Sequence, residues 1–195
     1  MNETIKNLLE RRSVRGYKED LVPEEVLNEI LEAGEYAPSG MGQQGTLMVV
    51  TQNPELVAKL SKMNADVMGT ESDPFYGAPT VVVVFADSNM PTCVENGSLV
   101  MGNLMNAAHA LGVDSCWIHR AREVFASEEG KALKAEWGVP ESYVGIGHCV
   151  LGYRYGEYPK AKRRTLGRPI HCWIRCKQKG DHEKCAWKDT GRSQR

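Results

Sequence analysis

The chain has 195 residues, of which 42% are hydrophobic, 25% charged and 7% aromatic, and its 24 basic and 25 acidic side chains leave a formal charge of −1. These values are ordinary for one or two soluble domains. No apolar run approaches the roughly 20 residues that span a bilayer, and charged side chains near the amino terminus stand where a signal peptide has an apolar core. We therefore expect a cytoplasmic protein, in which six cysteines do not predict a disulfide framework.

The first part of the chain predicts two helices, a strand and a third helix. Residues 2–12 have the spacing of a short amphipathic helix, and a second helix is expected to begin near Pro23 and to end before Pro38. Residues 46–51 predict a buried strand. The next residues, beginning with the potential cap Asn53, then give the clearest helix start in the sequence.

The second part of the chain predicts the centre of a sheet and a long apolar helix. Residues 80–85 form a β-branched run without alternation, which is typical of a strand covered on both faces. Residues 95–111 predict a helix buried nearly all round, which in a small protein suggests contact with a second subunit. A strand through 117–118, a helix capped by Ser127 and a last strand over 143–151 follow. Without a linker or repeat, one α+β domain with a mixed sheet is the simplest architecture.

Three segments contain residues suited to ligand binding. Residues 11–15, Arg-Arg-Ser-Val-Arg, offer guanidinium groups and a hydroxyl that match phosphate oxygens, although a solvated basic helix end is the plainer interpretation. The glycine-rich residues 37–45 forbid regular structure, so they form either a surface loop or a backbone platform close to a flat ligand. Residues 160–164, which follow the last strand, form a second cationic cluster.

Taken together and in this order, these segments resemble the flavin-dependent nitroreductase family over residues 3–174. The resemblance implies a three-layer α+β sandwich, with a mixed and mainly antiparallel sheet flanked by helices, in an intertwined dimer. The parts that carry it are Arg-Arg-Ser-Val-Arg-Gly-Tyr at 11–17, Ala-Pro-Ser at 37–39 with Gln44, Gly-Ala-Pro at 77–79, Leu-Gly-Val-Asp-Ser-Cys-Trp-Ile at 111–118, and Gly-Ile-Gly at 145–147 with Gly-Tyr at 152–153.

The resemblance also implies a cofactor, a reductant and a set of contact residues. FMN would lie at a homodimer interface, take hydride from NADH or NADPH at N5, and pass it to an electron-poor acceptor such as a nitroaromatic or a quinone. No side chain is assigned a catalytic role, because the cofactor carries the chemistry. The implied contacts are Arg11, Arg12, Ser13 and Arg15 at the phosphate and pyrimidine edge, Lys162 and Arg164 at the phosphate, Pro38, Ser39 and Gly40 from the other subunit, Trp117, Ile118 and His119 near the dimethylbenzene ring and N5, and Asn64 at the pyrimidine carbonyl and amide.

Several points stay open at this stage. Asn64 could equally be an exposed polar residue at a helix end. Gly42 stands where many family members have Asn, and the family's Pro-Trp pair is absent after Gln44, so a looser loop is expected. The alternative functions are a specialised flavoenzyme of the same fold, such as a reductive dehalogenase or a dehydrogenase, and a flavin-binding module without turnover.

The remaining cysteines and histidines have plainer interpretations. Cys116 and Cys149 fall in predicted strands and are expected to be small core residues rather than nucleophiles. His109 and His148 fall on elements that look buried and are expected to be core histidines with satisfied hydrogen bonds.

The carboxy-terminal end of the chain is strongly basic. Residues 153–195 hold 13 Lys or Arg against four Asp or Glu, but the sequence contains no recognisable nucleic-acid module. We expect a flavin-binding domain over 1–174 and a polar, basic extension over 175–195. The spacing of the cysteines near this end fits no common zinc finger, so no metal is expected; they are Cys172, Cys176 and Cys185.

Overall fold

The structure is a computed structural model that describes residues 1–162. Arg164 and the predicted boundary at residue 174 lie outside the described residues. Six helices and four strands follow one another in the described part: α1 (Glu3–Glu10), α2 (Glu24–Glu35), β1 (Thr46–Thr51), α3 (Pro54–Met68), β2 (Thr80–Asp87), α4 (Cys93–Ala110), β3 (Asp114–Ile118), α5 (Ala121–Val124), α6 (Glu128–Glu136) and β4 (Tyr143–Gly152).

Local capping signals mark the starts of α3 and α6. The Asn53 side chain accepts a hydrogen bond from the Leu56 N–H at 3.0 Å, and the Ser127 hydroxyl accepts one from the Gly130 N–H at 3.1 Å. Both bonds satisfy an N–H that has no partner within its own helix, so both predicted starts are confirmed. The four-residue helix α5 was not predicted, because it is too short to show a helical period.

The four strands form one antiparallel sheet in the order β1-β2-β4-β3. The predicted central strand is confirmed, because β2 pairs on both sides and residues 81–86 are fully buried. In residues 1–162 the only parallel pairing in this sheet is an isolated bridge between Ser13 and Ser115. That bridge extends the sheet beyond β3.

The prediction of a buried strand over residues 46–51 is only half right. The bounds of β1 are as predicted, but in the described chain β1 is an edge strand and Val50 is 40% exposed. Apolar composition identifies a strand without revealing whether a second neighbour covers it.

Helices cover both faces of the sheet and give three layers. Val81 and Val83 pack with α3, α5 and α6 on one face, whereas Val82 and Val84 pack with α2 and α4 on the other. Successive side chains of a strand point to opposite faces, so the uninterrupted valine run fills both apolar layers. No helix within residues 1–162 is both long enough and apolar enough to cross a membrane.

Within residues 1–162, two helices keep apolar surface that the other described elements do not cover. The side of α4 that faces the sheet is buried as predicted, but Leu99 on its other side is 44% exposed. The neighbouring α1 has no buried residue, and its apolar side chains are about half exposed. We call the set Ile5, Leu8 and Leu9 the α1 apolar face.

Candidate functional site

Residues 11–15 leave α1 and run beside β3 at the edge of the sheet. The Val14 N–H donates to the Ser115 carbonyl at 3.1 Å, and the Val14 side chain is buried in the core. Because side chains alternate along an extended segment, Ser13 and Arg15 face away from that core. Arg15 is exposed and Ser13 is half-buried. The structure therefore brings Arg11, Ser13 and Arg15 to one edge, as the resemblance implies.

The guanidinium groups of Arg11 and Arg12 differ in their hydrogen bonding. Arg12 Nη1 donates to the carbonyls of Leu9 and Arg11 at 2.7 and 2.8 Å. Arg11 Nη1 is buried and has no hydrogen-bond partner among the described residues. A buried donor without a partner costs about 1 to 3 kcal/mol, and more when it is charged. An anionic ligand at Arg11 would remove that cost.

The thiols beneath this basic segment stay protonated. Burial raises the pKa of Cys116, while Arg15, Ser13 and Arg11 each act to lower it. Burial raises the pKa of Cys149 to about 12. Both side chains lie in the core, as predicted, and neither is a nucleophile at neutral pH.

The carboxyl end of β3 carries three further predicted contacts. Ile118 is buried, Trp117 is half-buried and His119 is exposed at the surface. Trp117 and Ser115 are two residues apart in the same strand, so their backbone groups face the same side. Ser115 accepts the Val14 N–H on the outer side of the sheet, so the backbone of Trp117 also faces outward.

Asn64 is fully buried on α3, which rules out the exposed position considered as an alternative. Its amide N–H donates to the His119 carbonyl at 2.7 Å, and its oxygen has no partner among the described residues. The structure thus gives Asn64 a different partner from the flavin that the resemblance assigns. Here it holds the backbone at the end of β3, and its direct contact with flavin stays a prediction.

His148 lies on β4 beneath the same region. It is fully buried between Phe75 and Phe125, whose ring centroids are 5.2 and 5.9 Å from its own. Burial lowers the pKa of His148 to about 3, with the backbone of Ile118 acting in the opposite direction. Its Nδ1 lies 3.4 Å from the Asn64 amide, but Nε2 has no partner in the described region. His148 is therefore a neutral core histidine.

Acid is expected to destabilise the fold through His148. An unfolded histidine binds a proton below about pH 6.5, but the folded site does so only near pH 3. Between these values the unfolded state holds more protons, so stability falls as the pH falls. The slope of about 1.4 kcal/mol per pH unit predicts a loss of about 2 kcal/mol between pH 6.5 and pH 5. Urea unfolding at the two pH values measures the loss.

Two variants isolate the contribution of His148. His148→Leu should lose most of this pH dependence, whereas replacement of the exposed His119 by Gln should keep it. A pH dependence that is the same in His148→Leu and the parent would assign the acid sensitivity to other groups.

The glycine-rich loop forms a compact turn against the start of α4. The Gln44 N–H donates to the Ser39 hydroxyl at 3.0 Å, and the Gly40 N–H donates to the Asn96 side-chain oxygen at 2.9 Å. Gly42 has a φ of 66°, a left-handed conformation that glycine and asparagine adopt more readily than other residues. The turn at this position therefore suits glycine, as it would suit asparagine.

The loop and the basic segment of one chain lie at opposite ends of α4. The loop is bonded to Asn96, whereas the Arg12 N–H donates to the Tyr158 hydroxyl and the Tyr158 ring stacks on His109. His109 follows Asn96 by thirteen residues of helix, a distance of roughly 20 Å. The loop residues Pro38, Ser39 and Gly40 therefore lie away from the basic segment, residues 11–15, of their own chain.

The nitroreductase family model matches residues 8–153 of the chain, which include every strand of the sheet. The chain belongs to the nitroreductase family. It is 32% identical over 180 residues to an NADH dehydrogenase of Thermus thermophilus, an alignment that covers 85% of this chain and 80% of the relative. The predicted family is thus confirmed.

Solved structures support the same assignment. A nitroreductase with bound FMN from Bacteroides fragilis superposes with a TM-score of 0.79 at 29% identity, covering 86% of this chain and 97% of that one. Another from Desulfitobacterium hafniense, also with bound FMN, gives 0.76 at 27% identity, covering 86% and 98%. The predicted α+β nitroreductase fold is confirmed.

The structure also contains an ion pair beside the basic segment that the sequence did not reveal. Asp114, at the start of β3, is nearly buried, and Oδ2 accepts hydrogen bonds from the Arg154 backbone at 2.9 Å and from Arg154 Nη1 at 3.2 Å. This pair joins β3 to the segment that leads to the second cationic cluster. It borders a cleft of about 530 Å³ that Arg12 and Tyr158 also line. The only sequence signal was an acidic residue at the start of an apolar strand.

Two of the predicted phosphate contacts lie at or beyond the last described residue. Lys162 is the last described residue and is exposed, and Arg164 lies outside the described residues. Within residues 1–162 no cluster of three or more His, Cys, Asp or Glu side chains could hold a metal ion. Cys172, Cys176 and Cys185 lie outside that range.

Proposed function

We propose that this nitroreductase is an FMN-dependent oxidoreductase that uses NADH or NADPH to reduce an electron-poor acceptor, such as a nitroaromatic or a quinone. The observation that supports it best is the buried, unpartnered Nη1 of Arg11 in a basic segment beside β3. An anionic phosphate suits that group, and the relatives from Bacteroides fragilis and Desulfitobacterium hafniense are described with FMN bound.

The residues of the chain would bind and orient the cofactor. Bound FMN would supply the hydride chemistry between the nicotinamide and the acceptor. Arg11, Ser13 and Arg15 would hold the phosphate and the pyrimidine edge, where a positive group stabilises the added negative charge. The outward-facing backbone of Trp117 would offer hydrogen-bonding groups to the flavin ring, and Asn64 holds the neighbouring backbone through the His119 carbonyl.

We further propose a homodimer in which each flavin contacts both chains. Pro38, Ser39 and Gly40 lie at the opposite end of α4 from the basic segment of their own chain, so they would complete the site of the partner. The α1 apolar face and the exposed Leu99 of α4 supply apolar surface for such an interface. Because NADH and NADPH are intracellular reductants, the proposed reaction suits a cytoplasmic enzyme.

Steady-state kinetics distinguish the enzyme from a binding module. If the nicotinamide leaves before the acceptor enters the same space, initial rates measured at several NADH and quinone concentrations should give parallel double-reciprocal lines, the pattern of a ping-pong reaction. Free FMN at the same concentration is the control. A rate no higher than that of free FMN would favour the flavin-binding module without turnover, and intersecting lines would contradict the shared site.

A further inference from the structure

The side chain of Asn96, in the first turn of α4, is hydrogen-bonded to the glycine-rich loop and not to its own helix. The side chain is 2% exposed, and its oxygen accepts the Gly40 N–H at 2.9 Å. Its amide nitrogen lies 3.9 Å from the Met90 sulfur, which is a weak acceptor. A buried amide whose strong bond goes to the backbone of a loop ties the position of that loop to the helix.

Both sides of the loop lie close to residues at or just before the start of α4. A Cβ on Gly40 would overlap the Thr92 hydroxyl, and one on Gly45 would overlap the end of the Met90 side chain. The tip of the loop is different, because a Cβ on Gly42 would meet nothing within 4 Å and the Met41 side chain is exposed. The loop is therefore anchored on both sides, and its tip is free to meet a ligand or another chain.

We propose that Asn96 is a positioning residue that presets residues 38–45 for contact with the flavin. Glycine-rich segments lose much conformational freedom when they are ordered, and a loop that is already ordered binds its ligand more tightly. In this chain the family's Pro-Trp pair is absent from the loop. The hydrogen bond from the Gly40 N–H to Asn96 therefore restrains a loop whose own sequence is flexible. The inference rests on the proposed function, because it assigns the flavin as the occupant of the site.

The test compares three single variants with the parent protein. Asn96→Leu keeps the size of the side chain but loses the acceptor, whereas Asn96→Asp keeps an acceptor in the first turns of α4, where the helix dipole favours a negative group. Asn103→Leu is the matched control, since Asn103 on the same helix donates to the Ala33 carbonyl at 2.8 Å and has no bond to the loop. Fluorescence titration of each apoprotein with FMN gives the dissociation constants, and thermal unfolding gives the stabilities.

The expected pattern separates positioning from a general loss of stability. Loss of one buried hydrogen bond should weaken FMN binding by about five- to tenfold in Asn96→Leu. Asn96→Asp should restore binding to within about twofold of the parent. Asn103→Leu should lower the melting temperature without changing FMN affinity. Equal FMN affinity in Asn96→Leu and the parent would overturn the inference, and so would equal weakening in Asn96→Leu and Asn103→Leu.

A second variant decides the result if Asn96→Leu does not fold. Gly40→Ala pushes the loop away from Thr92 at the start of α4, and it should weaken FMN binding, while Gly42→Asn, which suits the left-handed conformation at the free tip, should weaken it less. Unchanged FMN affinity in Gly40→Ala would then overturn the inference. A parent protein that binds no FMN would instead refute the proposed function.

Discussion

Replacement of Arg11 by alanine is expected to weaken FMN binding by about tenfold or more. A charge-assisted hydrogen bond contributes about 1.5 to 3 kcal/mol, and Arg11 Nη1 is already buried with no partner in the described chain. Arg15→Ala should have a similar effect. Arg12→Ala should cost less, because the Arg12 guanidinium is engaged with the carbonyls of Leu9 and Arg11. Fluorescence titration of the apoproteins with FMN measures all three changes.

Riboflavin is the control for the role of Arg11, because it has the ring system of FMN but no phosphate. The parent should bind riboflavin much more weakly than FMN, and Arg11→Ala should change riboflavin binding little. A parallel loss of affinity for both ligands would indicate that Arg11 supports the fold instead. Retention of FMN as tightly as in the parent would show that the phosphate lies elsewhere.

A double substitution on the α1 apolar face, Leu8→Glu with Leu9→Glu, is expected to dissociate the proposed dimer and release the flavin. These side chains are 50% and 56% exposed in the single chain. Each leucine that a partner buries contributes up to about 1.5 to 3 kcal/mol, and burial of an unpaired carboxylate adds a larger cost. In a twofold-symmetric dimer each substitution is present twice in the interface. Sedimentation equilibrium monitored at a flavin absorption band follows mass and cofactor together.

Leu21→Glu provides the matched control for this double variant. Leu21 is 52% exposed, but it lies outside α1 and α4, so its replacement should leave both the mass and the flavin content unchanged. A parent protein that sediments as a stable, flavin-loaded monomer would contradict both the dimer and the contact from the partner's loop.

The sequence is sufficient to predict elements whose signals are local. Asn53 and Ser127 cap helices through N–H groups three residues away, and the valine run of β2 needs no distant partner to be identified as a core strand. The edge position of β1 depends instead on which strand pairs with it, which is a property of the whole sheet. Composition therefore predicted the bounds of β1 but not its exposure.

In the candidate site, too, features set by neighbouring residues could be predicted from the sequence, whereas contacts between distant residues could not. The order Arg11 to Arg15 along an extended segment indicates which side chains share a face, and β3 then keeps them at one edge. The burial of Asn64 could have been predicted, since it follows Leu60 by four residues and therefore lies on the same face of α3. The pairing of Asp114 with Arg154, forty residues away, depends on tertiary structure and has no comparable local signal.

The central claim is tested most directly by anaerobic reduction of the FMN-loaded protein. Addition of NADH or NADPH should bleach the visible absorption bands of the bound oxidised flavin, and a quinone or nitroaromatic added afterwards should restore them in the absence of oxygen. Bound flavin whose spectrum is unchanged by an excess of either nicotinamide would contradict the assignment of the chain as an NAD(P)H-dependent oxidoreductase.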